Sequence, residues 1–145
     1  DRLRRSAARP ADPMPQLRGE ELRTLETAGI RVGNHTLTHP CLDRCDTEAV
    51  RREIRDAHAV LSAALGRPPS AFAYPNGNWD GRAEVELEAA GYDVGFLFDH
   101  RLSAVPQAAP LRISRLRVSD TTPTDRFAAI LSGLHPAVHH ARGGR

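Results

Sequence analysis

The sequence predicts an α/β fold in which parallel strands alternate with helices. Short apolar segments recur along the chain, and segments with apolar residues at helical spacing lie between them. Glycine and proline separate the two kinds of segment. The length of 145 residues suits one domain, and 40% hydrophobic residues are enough for a packed core.

The first predicted elements follow a lead-in. Residues 1–16 are rich in Arg, Ala and Pro and are predicted to be a linker. Apolar residues at helical spacing then predict a short amphipathic helix that ends at Gly29, and residues 30–34 are a strand candidate. Asp46 is predicted to cap a long helix that ends at Gly66.

The middle of the chain repeats this alternation. Residues 71–74 are an apolar strand candidate, and a turn is predicted at residues 75–77. Asp80 is predicted to cap the next helix, which Gly91 closes. The last two strand candidates are residues 92–98 and 113–118.

One more helix is predicted near the carboxyl terminus. Thr122 is its predicted cap, with Pro123 as the first helical residue. Its predicted buried face comprises Phe127, Ile130, Leu131 and Leu134. The domain is therefore predicted to cover residues 17–134, and residues 135–145 are predicted to be a disordered tail.

About four βα units predict a partial (β/α) barrel. A closed eight-stranded barrel takes roughly 250 residues. Four units would leave unpaired strand edges, which isolated proteins avoid. We therefore expect the amino-terminal strands of the barrel to be missing from these residues.

The composition excludes several functional classes. The net charge is only +2, and the basic residues cluster at the two ends with few aromatic residues between them, which argues against nucleic-acid binding. No apolar run approaches the roughly 20 residues of a membrane-spanning helix. Two cysteines, Cys41 and Cys45, do not make a disulfide framework.

The stretch "GNHTLTH" contains the first candidate site. His35 and His39 are four residues apart, just past a predicted strand. If residues 35–39 form one helical turn, the two imidazoles point the same way and suit one Zn²⁺ ion. The alternative is a histidine at a helix start near Thr36 and a partly buried histidine before Pro40.

The stretch "FAYPNGNWD" contains the second candidate site. It turns sharply after the next predicted strand, and Gly77 allows the backbone to expose N–H groups. Such donors stabilise a tetrahedral oxyanion. An ordinary turn is the alternative.

Together, these stretches resemble the polysaccharide deacetylase family, the NodB-homology domain of carbohydrate esterase family four. The resemblance covers about residues 17–118 and depends on H-T-x-x-H followed by F-A-Y-P-x-G. The F-A-Y-P sequence is similar to the subgroup that contains poly-N-acetylglucosamine deacetylases. The chain resembles the carboxyl-terminal part of such a domain.

The resemblance implies roles for several residues. His35 and His39 would be two of three protein ligands to a divalent ion, most simply Zn²⁺. The backbone N–H of Asn76 would help to form an oxyanion hole, and Tyr74 and Pro75 would shape the substrate groove.

Two further residues have open assignments. Trp79 would offer a face for sugar stacking, or is simply a core or surface aromatic residue. Arg115, in a segment that resembles the late strand of the subgroup, would orient a carboxylate of the site, or is an ordinary surface arginine.

The sequence also departs from the family pattern. The family's early Asp-Asp pair, which supplies the general base and the third metal ligand, is absent, and so is the subgroup's general-acid histidine. Ala73 occupies a position where many members carry arginine. We therefore expect this chain alone to bind Zn²⁺ weakly and to release no acetate.

The implied function is metal-dependent hydrolysis of N-acetyl or O-acetyl groups on a polysaccharide, as part of a longer chain. The resemblance also implies an extracytoplasmic or cell-envelope location. One alternative is a non-catalytic, deacetylase-like carbohydrate-binding protein. Another is a structural zinc module formed by His35, His39, Cys41 and Cys45, although packing of Cys45 as a small apolar residue and a loop position for Cys41 are the simpler expectation.

Overall fold

The computed structural model describes residues 16–103 and 108–141. Nearly all of the predicted linker, residues 1–16, lies outside this part of the chain. No helix within it combines the length and the apolar character that a membrane crossing requires.

The helices begin and end close to the predicted residues. Asp46 accepts a hydrogen bond from the Ala49 amide at 2.7 Å, and Gly66 ends the same helix with a φ of 74°. Asp80 caps the next helix by accepting from the amides of Arg82 and Ala83. The helices of the described residues are α1 (Gly19–Thr27), α2 (Thr47–Leu65), α3 (Gly81–Ala89), α4 (Thr124–Leu131) and α5 (Leu134–Ala141).

The strands of the sheet are parallel, as predicted. Strands β1 (Ala71–Ala73) and β2 (Val94–Phe96) pair in parallel. An isolated parallel bridge joins Asn34 to Phe72, and another joins Phe96 to Ile113. The four predicted strand segments therefore lie side by side in chain order, with β1 and β2 in the middle.

The two outer strands are much shorter than predicted. Residues 30–34 and 113–118 contribute one bridging residue each, Asn34 and Ile113. Polar side chains replace the expected ladder partners: the Val32 amide donates to Glu26, and the Ser114 amide donates to the Ser103 hydroxyl. The alternating pattern of apolar and polar residues does not show that these side chains compete for the backbone amides of the strands.

The two faces of the sheet differ. Phe72 points into a core that the sheet forms with α2 and α3. The other buried residues of this core are Leu42, Val50, Ile54, Tyr74, Ala83, Leu87, Tyr92 and Leu111. The opposite face, which carries Ala71, Ala73, Val94 and Phe96, lines an open groove of about 380 Å³ that also reaches His35. One candidate ligand thus lies on the open face of the sheet.

The carboxyl-terminal predictions need correction. α4 begins at Thr124 with Pro123 at its cap, because the Thr122 hydroxyl instead accepts from the Ser119 amide. Of the predicted buried face only Ile130 is buried, whereas Phe127, Leu131 and Leu134 are exposed.

Residues 135–141 of the predicted disordered tail belong to α5, which includes His139 and His140. Gly133, in the left-handed region, ends one helix and allows the next to start at once. Residues 142–145 lie outside the described part of the chain.

Stability should fall in acid. Burial would raise the pKa of Glu86, but hydrogen bonds from Arg51 and Arg55 outweigh it and hold that pKa below the ordinary value of 4.5. Since the folded-state pKa is the lower one, this stabilisation is complete above about pH 4.5 and is lost as the pH falls further. Urea unfolding at pH 7, 4 and 3 measures it. Glu86→Gln should flatten the decline, and an unchanged slope would contradict the assignment.

Candidate functional site

The two predicted histidine ligands lie side by side at the carboxyl end of the sheet. The ring centroids of His35 and His39 are 4.7 Å apart, with an interplanar angle of 78°. His35 Nδ1 lies 2.7 Å from the Ala73 carbonyl oxygen. Because a carbonyl only accepts, Nδ1 carries the proton and the Nε2 lone pair of His35 is left for another partner.

The rings converge by a different route from the one predicted. Residues 35–39 do not form a helical turn, since Thr36 and His39 have φ values of 69° and 63°. Non-glycine residues in this left-handed region cost on the order of 1 kcal/mol each. We call residues 35–39 the histidine loop, and its conformation requires support from outside.

Asn34 supports the start of the histidine loop. It is 1% exposed, and its Oδ1 accepts from the Thr36 amide at 2.8 Å. Its Nδ2 donates to the Ile54 carbonyl at 3.1 Å and to the Tyr92 hydroxyl at 2.7 Å. All polar atoms of this buried amide are therefore used to connect the loop to the core.

Glu53, on α2, supports the middle of the histidine loop. Its Oε2 accepts from the amides of Leu37 and Thr38 at 2.9 and 2.8 Å, and its Oε1 accepts from the Thr38 hydroxyl at 2.6 Å. Burial would raise the pKa of Glu53, but these hydrogen bonds outweigh it and lower that pKa.

Sequence reasoning missed Glu53, although a signal was present. Glu53 lies three residues after Val50 and next to Ile54 in the apolar stripe of α2, where all three are buried. A charged residue within such a stripe is expected to have a specific partner.

The second loop follows β1 and contacts the chain just after the histidine loop. Asn76 has a φ of 54°, and its Nδ2 donates to the Cys41 sulfur at 3.0 Å. The Gly77 amide donates to the Tyr74 carbonyl at 2.8 Å. His35 and Asn76 therefore lie at the same end of the sheet, as expected from parallel strands.

Tyr74 and Pro75 do not face the groove. Both are completely buried, and the Tyr74 ring packs 5.0 Å from that of Phe72. Burial raises the pKa of Tyr74, and its hydroxyl has no hydrogen-bond partner among the described residues. Because the Tyr74 ring packs into the core beside Phe72, these two residues support the second loop from the core side. They do not line the groove.

Trp79 is partly accessible. Its side chain is 42% exposed, and its Nε1 donates to Glu84 at 2.6 Å. The Arg112 guanidinium lies 4.2 Å from the centroid of the indole ring and also pairs with Glu84. A stacking partner would therefore have to use the part of the ring that Arg112 leaves uncovered.

Arg115 packs against the end of β2. Its Nε donates to the Leu97 carbonyl at 2.6 Å, and its guanidinium lies 5.7 Å from the rings of both Phe96 and Phe98. It follows Ile113, which β1 and β2 separate from Asn34 in the sheet.

The four-ligand zinc module is wrong. Across residues 16–103 and 108–141, no group of three or more His, Cys, Asp or Glu side chains is placed to hold one metal ion. The Cys45 thiol donates to the Cys41 carbonyl, and Cys45 packs against the core as a small apolar residue. The structure brings together two candidate ligands, and a third remains a prediction.

The sequence matches a known protein family. The family model for polysaccharide deacetylases matches residues 9–95, more than half of the chain. The chain belongs to the polysaccharide deacetylase family. The matched range includes both histidines and the whole second loop.

Two relatives are chitooligosaccharide deacetylases. The protein from Rhizobium leguminosarum bv. trifolii is 42% identical over 43 residues, which are 30% of this chain and 20% of the relative. The protein from Bradyrhizobium sp. (strain ANU 289) is 38% identical over 61 residues, or 41% of this chain and 28% of the relative. This polysaccharide deacetylase chain therefore matches less than a third of either relative.

A solved structure supports the fold class. The Streptococcus pyogenes deacetylase PplD, solved with acetate, matches with a TM-score of 0.70 and 18% identity. The match covers 84% of this chain and 52% of the PplD chain. The predicted α/β fold with a short parallel sheet, consistent with part of a deacetylase-type barrel, is thus confirmed.

Gly77→Ala should destabilise the protein strongly. The φ of Gly77 is 78°, and an added Cβ would lie 2.2 Å from the Phe98 backbone nitrogen. The expected loss is about 3 kcal/mol or more in the free energy of unfolding. Gly66→Ala is the matched control: its φ is 74° with nothing within 4 Å of the added Cβ. It should cost about 1–2 kcal/mol. Equal losses in urea unfolding would contradict the close approach at Phe98.

Proposed function

We propose that His35 and His39 bind one divalent cation, most simply Zn²⁺, in an enzyme that removes acetyl groups from a polysaccharide. The proposal depends most on one observation: the two imidazole rings converge at 4.7 Å, and His35 Nδ1 is fixed on a main-chain carbonyl. An imidazole held in this way presents Nε2 in a single orientation, as zinc ligands usually do.

The donor set fits a zinc ion. Neutral imidazole nitrogen is a common zinc ligand, and catalytic zinc sites take three protein ligands and leave one position open. His35 and His39 would supply two of them, and the resemblance assigns the third to the family's aspartate pair. When bound, such an ion polarises an acetyl carbonyl and lowers the pKa of water.

Asn76 is the proposed oxyanion donor. The left-handed φ of Asn76 and the tight turn at Gly77 orient the backbone of the second loop, and the Asn76–Cys41 contact joins that loop to the chain after His39. A backbone N–H in a rigid loop stabilises a developing negative charge without reorganisation. The proposed role of Asn76 is therefore to donate its amide hydrogen to the carbonyl oxygen that becomes negative.

Trp79 and Arg115 have secondary roles in this proposal. The exposed part of the Trp79 ring offers an apolar face for a sugar, next to the positive charge of Arg112. Arg115 is proposed to orient a carboxylate through the guanidinium nitrogens other than Nε, which already donates to Leu97.

The proposed substrates are polymers of N-acetylglucosamine. Both relatives are named as chitooligosaccharide deacetylases, and the F-A-Y-P sequence at residues 72–75 resembles the subgroup that acts on poly-N-acetylglucosamine. We further propose an extracytoplasmic location, because the family acts mostly on envelope and extracellular glycans.

His39→Ala tests the metal assignment. In a complete domain that carries the aspartate pair, the variant should lose zinc and at least about 100-fold of the acetate release, because a ligand is removed. The free energy of unfolding should change by less than about 1 kcal/mol, since the His39 side chain is exposed. Metal analysis after dialysis and acetate release from chitooligosaccharides measure both effects.

His58→Gln is the control for this test. His58 contacts the Tyr92 hydroxyl on the core side of α2 and is not a proposed ligand. The His58→Gln variant of the complete domain should retain zinc. A His39→Ala protein that stays active with full zinc occupancy would show that His39 is not a ligand. Retained zinc without any acetate release in the unmodified domain would favour a carbohydrate-binding role.

A further inference from the structure

The histidine loop has an unfavourable backbone conformation that contacts with other parts of the protein must stabilise. Thr36 and His39 both occupy the left-handed region. The loop is exposed at His35, Leu37 and His39, so packing of its own side chains is limited. Side-chain hydrogen bonds from the rest of the fold must therefore hold it.

Glu53 provides the largest share of these hydrogen bonds. Both of its carboxylate oxygens are used, one by the amides of Leu37 and Thr38 and the other by the Thr38 hydroxyl. The Thr36 hydroxyl then accepts from the His39 amide at 3.0 Å. With the Thr36 amide, which donates to Asn34, the four successive amides of residues 36–39 are thus satisfied by side chains, and two of them by Glu53.

The position of Glu53 makes it a rigid support. Its neighbours Val50 and Ile54 are completely buried, which fixes this turn of α2 to the core. Glu53 itself is 7% exposed and forms no ion pair within the described part of the chain. A buried charge without an ion pair is costly unless hydrogen bonds favour the charged form, and here all of those bonds come from the histidine loop.

We propose that Glu53 is a positioning residue that holds His39 against His35 in the geometry required for a shared cation. It contacts neither the cation nor the substrate and acts through the backbone of Leu37 and Thr38. This inference rests on the proposed metal site, but the ring geometry that it concerns is measurable without metal.

Two substitutions separate hydrogen bonding from charge. Glu53→Leu removes all three acceptor contacts. Glu53→Gln keeps one oxygen for the two amides, and its NH₂ group can donate to the Thr38 oxygen if that hydroxyl turns. Glu53→Leu should therefore release the loop, whereas Glu53→Gln should largely retain it.

Glu86→Leu is the matched control. Glu86 is also a helical glutamate that is 7% exposed, but its carboxylate binds Arg51 and Arg55 and makes no contact with the histidine loop. It should lower the stability of the fold without moving the histidines.

The experiment combines NMR with calorimetric zinc titration of the chain. Glu53→Leu should lose the nuclear Overhauser contact between the His35 and His39 rings and should speed amide exchange at Leu37 and Thr38 at least tenfold. It should weaken zinc binding about 10- to 100-fold. Glu53→Gln should stay within about threefold of the unmodified chain, and Glu86→Leu should keep the ring contact.

Several results would overturn the inference. One is a Glu53→Leu protein that keeps the ring contact and the loop protection. Another is an equal loss in Glu53→Leu and Glu86→Leu, which would indicate general destabilisation. If Glu53→Leu does not fold, Thr38→Val removes only the hydroxyl contact; it should speed exchange at Leu37 and Thr38 severalfold, and unchanged exchange would overturn the inference.

Absence of zinc binding is a distinguishable outcome. If a complete domain that carries the aspartate pair shows the ring contact but binds no zinc, while Glu53→Leu alone loses the contact, the positioning role is supported and the proposed metal site is rejected.

Discussion

The buried residue Asn34 connects the histidine loop to β1, to α2 and to the core. Its backbone exchanges hydrogen bonds with β1, from its N–H to the Ala71 carbonyl and from the Ala73 N–H to its own carbonyl. Its side chain binds the Thr36 amide, the Ile54 carbonyl and the Tyr92 hydroxyl. Strand, helix and histidine loop therefore share one residue, and replacing its side-chain amide would remove three hydrogen bonds.

The site is built from two strand ends and not from a preformed helix. Parallel pairing brings His35 next to the last carbonyl of β1, and the Asn76–Cys41 contact joins the second loop to the chain after His39. Each loop contains left-handed non-glycine residues, which is a cost that proteins concentrate at functional sites. The support comes from α2 through Glu53 and from the core through Asn34. This arrangement is what makes the family assignment chemically reasonable for this chain.

Signals from neighbouring residues predicted which helices and strands form better than they predicted the lengths of the strands. Asp46, Asp80 and Gly66 marked helix ends correctly because caps depend on neighbouring residues. The outer strands and the loop conformation depend on distant side chains, such as Glu26 at the Val32 amide and Glu53 at the histidine loop. The sequence motif identified His35 and His39, but it could not show that β1 turns Tyr74 inward. The histidine-rich sequence of α5 is typical of an exposed tail and does not predict a helix.

The central claim is that His35 and His39 bind one cation together, with His35 binding through Nε2. Long-range ¹H–¹⁵N NMR spectra of the histidine rings, recorded as zinc is added, test it most directly. His35 is expected to carry its proton on Nδ1 before zinc is added, as the Ala73 contact requires. Added zinc is expected to change the chemical shifts of His35 Nε2 and of one His39 ring nitrogen in parallel. Zinc that changes the chemical shifts of neither ring would contradict shared binding by His35 and His39. So would a His35 ring that is protonated on Nε2 instead of Nδ1.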